Sequence, residues 1–176
     1  MSSERKRLWW AAALIAMVAP CVASAQPPSG APRATLLASG LQGTIGSTVG
    51  PDGALYVPEG AVGRITRVDP KTGAKTTFAS GLPPAIVSIG GAIDVAFLDE
   101  IAYVLVTLVG PDIGGTAVVG LYGVDSPNSF TVVADIGAWS VAHPPTIPFE
   151  YEVPTGVQYV LQPYRGGFLV TDGHLN

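Results

Sequence analysis

The chain has 176 residues, a net charge of −4 and only 12% charged side chains. An acidic balance with no Lys/Arg cluster excludes nucleic acid and anionic membrane surfaces as partners. Twenty-two glycines, 16 prolines and abundant Val, Ile and Thr describe an all-β chain rich in turns, with enough residues for one core and not two.

Residues 1–25 read as a secretory signal peptide. Arg5, Lys6 and Arg7 form its positive start, and residues 8–19 form an apolar run too short to span a bilayer comfortably. Pro20 breaks the run, and Ala23-Ser24-Ala25 is a small-x-small cleavage site, so the mature chain is expected to begin at Gln26. The alternatives are an uncleaved anchor or a lipoprotein built on Cys21, but Pro20 fits a lipobox poorly. Cys21 is the only cysteine. Its removal leaves no disulfide and no thiolate metal site, so the fold rests on core burial alone. Loss of Arg5, Lys6, Arg7 and Glu4 leaves six basic and twelve acidic residues, a net charge of −6. The address is therefore secreted or periplasmic, without stable membrane insertion after cleavage.

Residues 26–33 (QPPSGAPR) are a Pro-rich flexible linker without periodicity. Residues 34–41 (ATLLASGL) predict a strand, and their ASGL returns at 79–82, 41 residues later. A repeat at such spacing points to a propeller, a solenoid or an array. Between the copies lie strand candidates at 44–49, 54–57, 63–69 and 74–80. The second of them follows the Pro51-Asp52-Gly53 turn and stops at Pro58-Glu59-Gly60. Four short antiparallel strands in about 40 residues have the size and rhythm of one propeller blade.

A second unit has strands at 93–98, 101–109, 117–125 and 129–136. Its 101–109 run (IAYVLVTLV) is unbroken and apolar, as burial on both faces requires. Residues 138–154 form a long loop dense in proline and aromatics, including Trp139 and His143. Such a loop is a functional or partner surface, or else an apolar plug over a blade edge. A third unit has strands at 156–162 and 168–171, and the sequence stops before a third and fourth strand. The expected domain is thus residues 34–176, an incomplete β-propeller of about two and a half four-stranded antiparallel blades. The early strand at 34–41 is expected to close the ring of a longer protein. An independent small β-sandwich is the other architecture open to this pattern.

The ASGL pair, GPDGALYVPEG at 50–60, GRITRVDP at 63–70, DVAFLD at 94–99 and YRGGFLVTDGHLN at 164–176 together resemble the secreted ScyD/ScyE-type β-propeller proteins. These are related in shape to NHL-repeat and gluconolactonase-like (SMP-30-like) propellers. The resemblance implies a six-bladed propeller of which this chain is the front half, and it implies no shared reaction.

Glu59 and Asp172 occupy equivalent places after the second strand of their units, and His174 follows closely. Such groups at strand exits line one rim and suit a hard cation or a sugar, or they are turn residues chosen for backbone geometry. Asp94 opens the first strand of the second unit. It is either a channel ligand or an acceptor for backbone amides of the preceding loop. His143 is expected to be simply solvated. A divalent cation is possible as cofactor, but no motif supports it. Gluconolactonase-like proteins need an early Glu on the first inner strand, and residues 44–49 carry no carboxylate or amide. No nucleophile elbow, zinc-protease motif or phosphate loop is present. The expected function is a secreted module that binds an extracellular small molecule or protein. The alternative is an exported metal-dependent lactonase-type hydrolase with most of its catalytic ring beyond Asn176.

Overall fold

The computed structural model describes residues 34–147 and 153–175. The predicted signal peptide, the linker and residues 148–152 of the Pro-rich loop lie outside them. All elements below belong to the unit Thr35–Asn176.

Three antiparallel meanders follow one another along the chain. The first is β1 (Thr48–Val49), β2 (Leu55–Glu59), β3 (Arg64–Val68) and β4 (Lys75–Ser80). The second is β5 (Gly91–Leu98), β6 (Ile101–Thr107), β7 (Gly120–Ser126) and β8 (Ser129–Asp135). The third is the pair β9 (Gln158–Tyr164) and β10 (Gly167–Asp172). Each four-stranded sheet has its strands in sequence order, which is the plan of a propeller blade. The chain is a partial β-propeller.

Local chemistry sets these strands. Gly53 (φ +76°) donates to the Gly50 carbonyl at 2.9 Å, and Asp52 accepts from the Ala54 amide at 3.1 Å, so the turn delivers the chain straight into β2. Two-residue turns close the hairpins at Asp99-Glu100 and Arg165-Gly166, with both central residues of each at positive φ. That is the geometry whose twist matches the flanking strands.

Side chains from successive sheets interdigitate. Tyr56, Ile65 and Ala79 of the first sheet share a core with Val95, Val104, Val106 and Tyr122 of the second. Tyr56 meets Phe78 and Phe97 edge-on at 4.9 and 4.8 Å between centroids. On the other face of the second sheet, Ile93, Leu105 and Leu121 pack against Leu161, Phe168 and Val170. β6 is therefore covered on both sides, which explains its unbroken apolar sequence. Burial of each Val or Leu there is worth roughly 1.5–3 kcal/mol.

Four expectations are corrected. Residues 34–41 form no strand. Leu36 is exposed, and the segment is held by the Lys75 ammonium on the Ser39 carbonyl (2.6 Å), not by a ladder. Of residues 44–49 only Thr48–Val49 is strand, because the approach to it stitches two sheets together. The Gly43 carbonyl accepts from the Gly60 amide, and the Gly46 amide donates to the Ile93 carbonyl at 2.8 Å. The strand expected at 54–57 runs on through Pro58 to Glu59. β1 pairs no further than Tyr56, so the proline nitrogen interrupts no ladder on that side. Finally, the loop at 138–154 begins inside a helix, α1 (Ile136–Ala142), capped by Asp135 accepting from the Ala138 amide at 2.8 Å.

Gly63 marks the tightest connection between sheet one and the chain leading to sheet two. It sits at φ +61°, and an added Cβ would lie 2.0 Å from the Leu82 carbonyl oxygen. The Gly63 carbonyl accepts from both the Gly81 and Leu82 amides at 3.1 Å. Gly63→Ala is expected to lower stability by about 2 kcal/mol or more, read as a lower midpoint in thermal or urea unfolding.

Candidate functional site

The four carboxylate and imidazole candidates sit at the ends and junctions of the sheets. Glu59 closes β2 and is fully buried. Its carboxylate accepts from Arg64 Nε at 2.9 Å, Arg64 Nη2 at 3.0 Å, the Gln42 amide at 2.9 Å and the Thr66 hydroxyl. Register explains the pairing: Glu59 stands opposite Arg64 as the last pair of the β2–β3 ladder, directly before and after the turn. Burial pushes the Glu59 pKa up, but the Thr66 hydroxyl, Arg64 and the Gln42 amide together outweigh it, and the net shift is downward. Beside it, Lys75, Thr76 and Thr77 complete a polar cleft of about 260 Å³.

Asp94 lies within β5, not at its start. One oxygen accepts from the Val95 amide at 2.9 Å and the other from the Leu161 amide of β9 at 2.8 Å. The expected backbone partners are thus present, but they belong to the following residue and to the next unit instead of the preceding loop. Burial raises its pKa despite those two amides. Gly46 makes room for this arrangement, since a Cβ there would lie 2.2 Å from Asp94 Oδ1.

Asp172 closes β10 as Glu59 closes β2. Its Oδ1 accepts from the His174 and Leu175 amides, each at 2.8 Å, and from the Val157 amide at 3.3 Å. Its Oδ2 accepts from Gln158 Nε2 at 2.8 Å. His174 touches Asp172 through its backbone, while its ring Nε2 accepts from the Val153 amide at 2.9 Å. The structure thus brings Asp172 and His174 together and leaves Glu59 and Asp94 with separate partner sets. Among the described residues, no three His, Cys, Asp or Glu side chains converge as a metal-binding group. No helix among them is long and apolar enough to cross a membrane.

Sequence reasoning missed a buried link between the second and third units. Gln158 is fully buried at the start of β9. It accepts from the Thr107 hydroxyl at 2.9 Å and donates to the Thr155 carbonyl at 2.9 Å as well as to Asp172. Thr155 in turn donates through its amide and hydroxyl to Asp112 at 3.1 and 2.7 Å. The available signal was a glutamine directly before the apolar run Tyr159-Val160-Leu161.

The aromatic loop does form a surface feature. Trp139 on α1 is 62% exposed and stacks on His143, centroids 4.4 Å apart, so His143 is not merely solvated. Trp139 also borders an apolar groove of about 470 Å³ with Leu121, Ala134, Ile136, Phe168 and Val170.

Fold and site together define a partial β-propeller whose polar strand exits are engaged within the protein and whose apolar groove is open among the described residues. No protein-family model matches the chain, and no curated protein matches it. Among solved structures it is similar to the PQQ-bound aldose sugar dehydrogenase of Streptomyces coelicolor, at 24% identity and a TM-score of 0.42. That match covers 57% of this chain and 31% of the dehydrogenase chain.

Proposed function

We propose that this chain is an exported propeller module that binds an extracellular small molecule or protein and carries no defined reaction of its own. One observation carries the reading. The carboxylates best placed for chemistry are spent as acceptors inside the fold, while Trp139, Phe168 and Val170 leave a concave apolar surface exposed to a ligand. The order of the repeated motifs supports placing the module beside the ScyD/ScyE-type secreted propellers. The acidic balance disfavours nucleic acid as a partner.

The test is binding of the apolar probe 1-anilinonaphthalene-8-sulfonate to the purified protein. Saturable fluorescence enhancement is expected, and Trp139→Ala or Val170→Asp removes it. Chelator-sensitive hydrolysis of a lactone by the same preparation would overturn the reading in favour of a metal-dependent hydrolase. Export has its own check: N-terminal sequencing of the protein recovered outside the cytoplasm is expected to read from Gln26, and recovery only of an intact Met1 terminus refutes it.

A further inference from the structure

The connections between strands divide the two four-stranded sheets by charge. Those after β2, β4 and β6 leave at one end of the strands, and those after β1, β3, β5 and β7 leave at the other. The second set carries Asp52, Asp69, Lys71, Asp99, Glu100 and Asp125 at or beside its turns. At the first end, residues 60–63, 81–91 and 113–117, with residues 40–47 that lead into β1, hold no charged side chain. They do hold Ile45, Val62, Ile86, Val87 and Ile89, each between 38% and 50% exposed. We propose that this end docks peripherally on a neutral, zwitterionic lipid surface, with those five side chains in the interfacial layer. The proposal goes beyond the binding-module reading and uses neither β10 nor the groove beside Trp139.

The patch is continuous. The Gly60 amide donates to the Gly43 carbonyl at 3.2 Å, and the Gly60 carbonyl accepts from the Ala85 amide at 2.8 Å. Residues 40–47 and 81–91 therefore flank the β2–β3 connection from its two sides. Each follows a copy of the ASGL repeat, so the exposed isoleucines recur with the repeat itself. Ile86 lies against Gly115, where an added Cβ would collide with its Cδ1. Between those two connections is an apolar hollow of about 340 Å³, walled by Pro83, Pro84, Ile86, Val109 and Ala117. The charges that border this end are engaged. Glu59 is buried on Arg64, and Asp112 accepts from the amide and hydroxyl of Thr155.

Composition selects the occupant. An exposed apolar patch ringed by polar groups marks a protein or a membrane contact. Protein interfaces concentrate aromatic residues, Met and Arg. The patch has none of these and offers aliphatic side chains among glycines and prolines. It therefore lacks the anchors that would hold a second copy or another protein in one orientation. A lipid interface needs no such match, because affinity follows the apolar area buried. Without a Lys or Arg in the patch, no electrostatic attraction to anionic headgroups is added, and the acidic balance of the chain opposes them.

Co-sedimentation of the full-length protein with sucrose-loaded phosphatidylcholine vesicles tests this. Saturable binding is expected, changing by less than about twofold between low and high salt, and no stronger when phosphatidylglycerol is mixed in. Val87→Asp and Ile89→Asp are each expected to weaken it by about tenfold or more. Both side chains are exposed, so two independent variants keep the test decisive if one does not fold. Orientation is read in a Cys21→Ser background with an environment-sensitive nitrobenzoxadiazole dye. On Ser88→Cys its emission is expected to shift to the blue with vesicles, and on Lys71→Cys, at the charged end, to stay unchanged. Binding indifferent to both aspartate variants belongs to the apolar run at residues 8–19 and overturns the proposal. Steep loss with salt, preference for phosphatidylglycerol, or a blue shift at Lys71→Cys alone also overturns it. So does a dimer on sizing that Ile89→Asp dissociates, which gives the face to a second copy. Failed vesicle binding beside retained binding of the apolar probe removes the lipid contact and leaves the binding module.

Discussion

Glu59→Ala is expected to cost about 3–4 kcal/mol of unfolding free energy, a large share of what a domain of this size holds. The carboxylate is fully buried and accepts four hydrogen bonds, two of them from Arg64. Alanine leaves the buried Thr66 hydroxyl and the Gln42 amide without their acceptor. Arg64 is 34% exposed at its side chain and recovers part of its loss by turning to water, which keeps the cost below that of a wholly buried pair broken on one side. Glu59→Gln, which keeps one acceptor oxygen, is expected to cost about half as much. The pH dependence separates charge from shape. Burial opposes ionisation of Glu59, but Thr66, Arg64 and Gln42 overcome it, so the folded pKa is below the ordinary value of 4.5. A depressed carboxylate contributes stability above its unfolded pKa and loses it as pH falls through the folded pKa. The advantage of the native protein over Glu59→Gln in urea titrations should therefore be full near neutrality and shrink below about pH 4.5. A difference that stays constant from neutrality into acid would refute the ionic account.

The repeat was legible because hydrophobic patterning and turn chemistry agree over most of the chain. The turn at Pro51-Asp52-Gly53 and the apolar run of β6 each signal their own local structure. Residues 34–41 and 44–47 failed as strand predictions for the opposite reason. Their composition suits a strand, but the Gly43 carbonyl and Gly46 amide are committed to bonds with Gly60 and Ile93, a tertiary choice invisible to local pattern. Helix α1 was missed because seven residues containing Gly137 carry little helical signal, and its start depends on one side-chain cap at Asp135. Glu59, Asp94, Asp172 and His174 stood out as chemically capable residues. Their actual partners come from Gln42, Leu161, Gln158 and Val153, most of them distant in sequence, and backbone amides account for most of the bonds. Since every residue but proline offers an amide, sequence gives no mark of which ones a carboxylate will meet.

Gln158→Leu is expected to lower stability by about 3 kcal/mol while leaving the first two sheets associated. Leucine fits the volume, so the loss comes from polarity. The Thr107 hydroxyl loses its acceptor while keeping the Gln158 backbone amide as a donor, and the Thr155 carbonyl and one oxygen of Asp172 lose the Gln158 side-chain amide, in a site where Gln158 and Thr107 have no exposure to water. The remaining ties between the third unit and the second are the Asp94 bond to Leu161, the Asp112 bonds to Thr155 and the Gln158 amide bond to Thr107, together with the apolar contacts around Phe168. Opening is therefore expected to localise to β9 and β10. Hydrogen exchange should accelerate there by about a hundredfold, the rate equivalent of 2.7 kcal/mol, with β2, β3 and β6 close to native protection. Thr107→Val tests the same link from the other side, and the double variant should cost less than the two single losses combined, because both remove one shared bond. Uniform acceleration across all three units would instead make Gln158 part of a single cooperative core, and additive costs would show that it and Thr107 act independently.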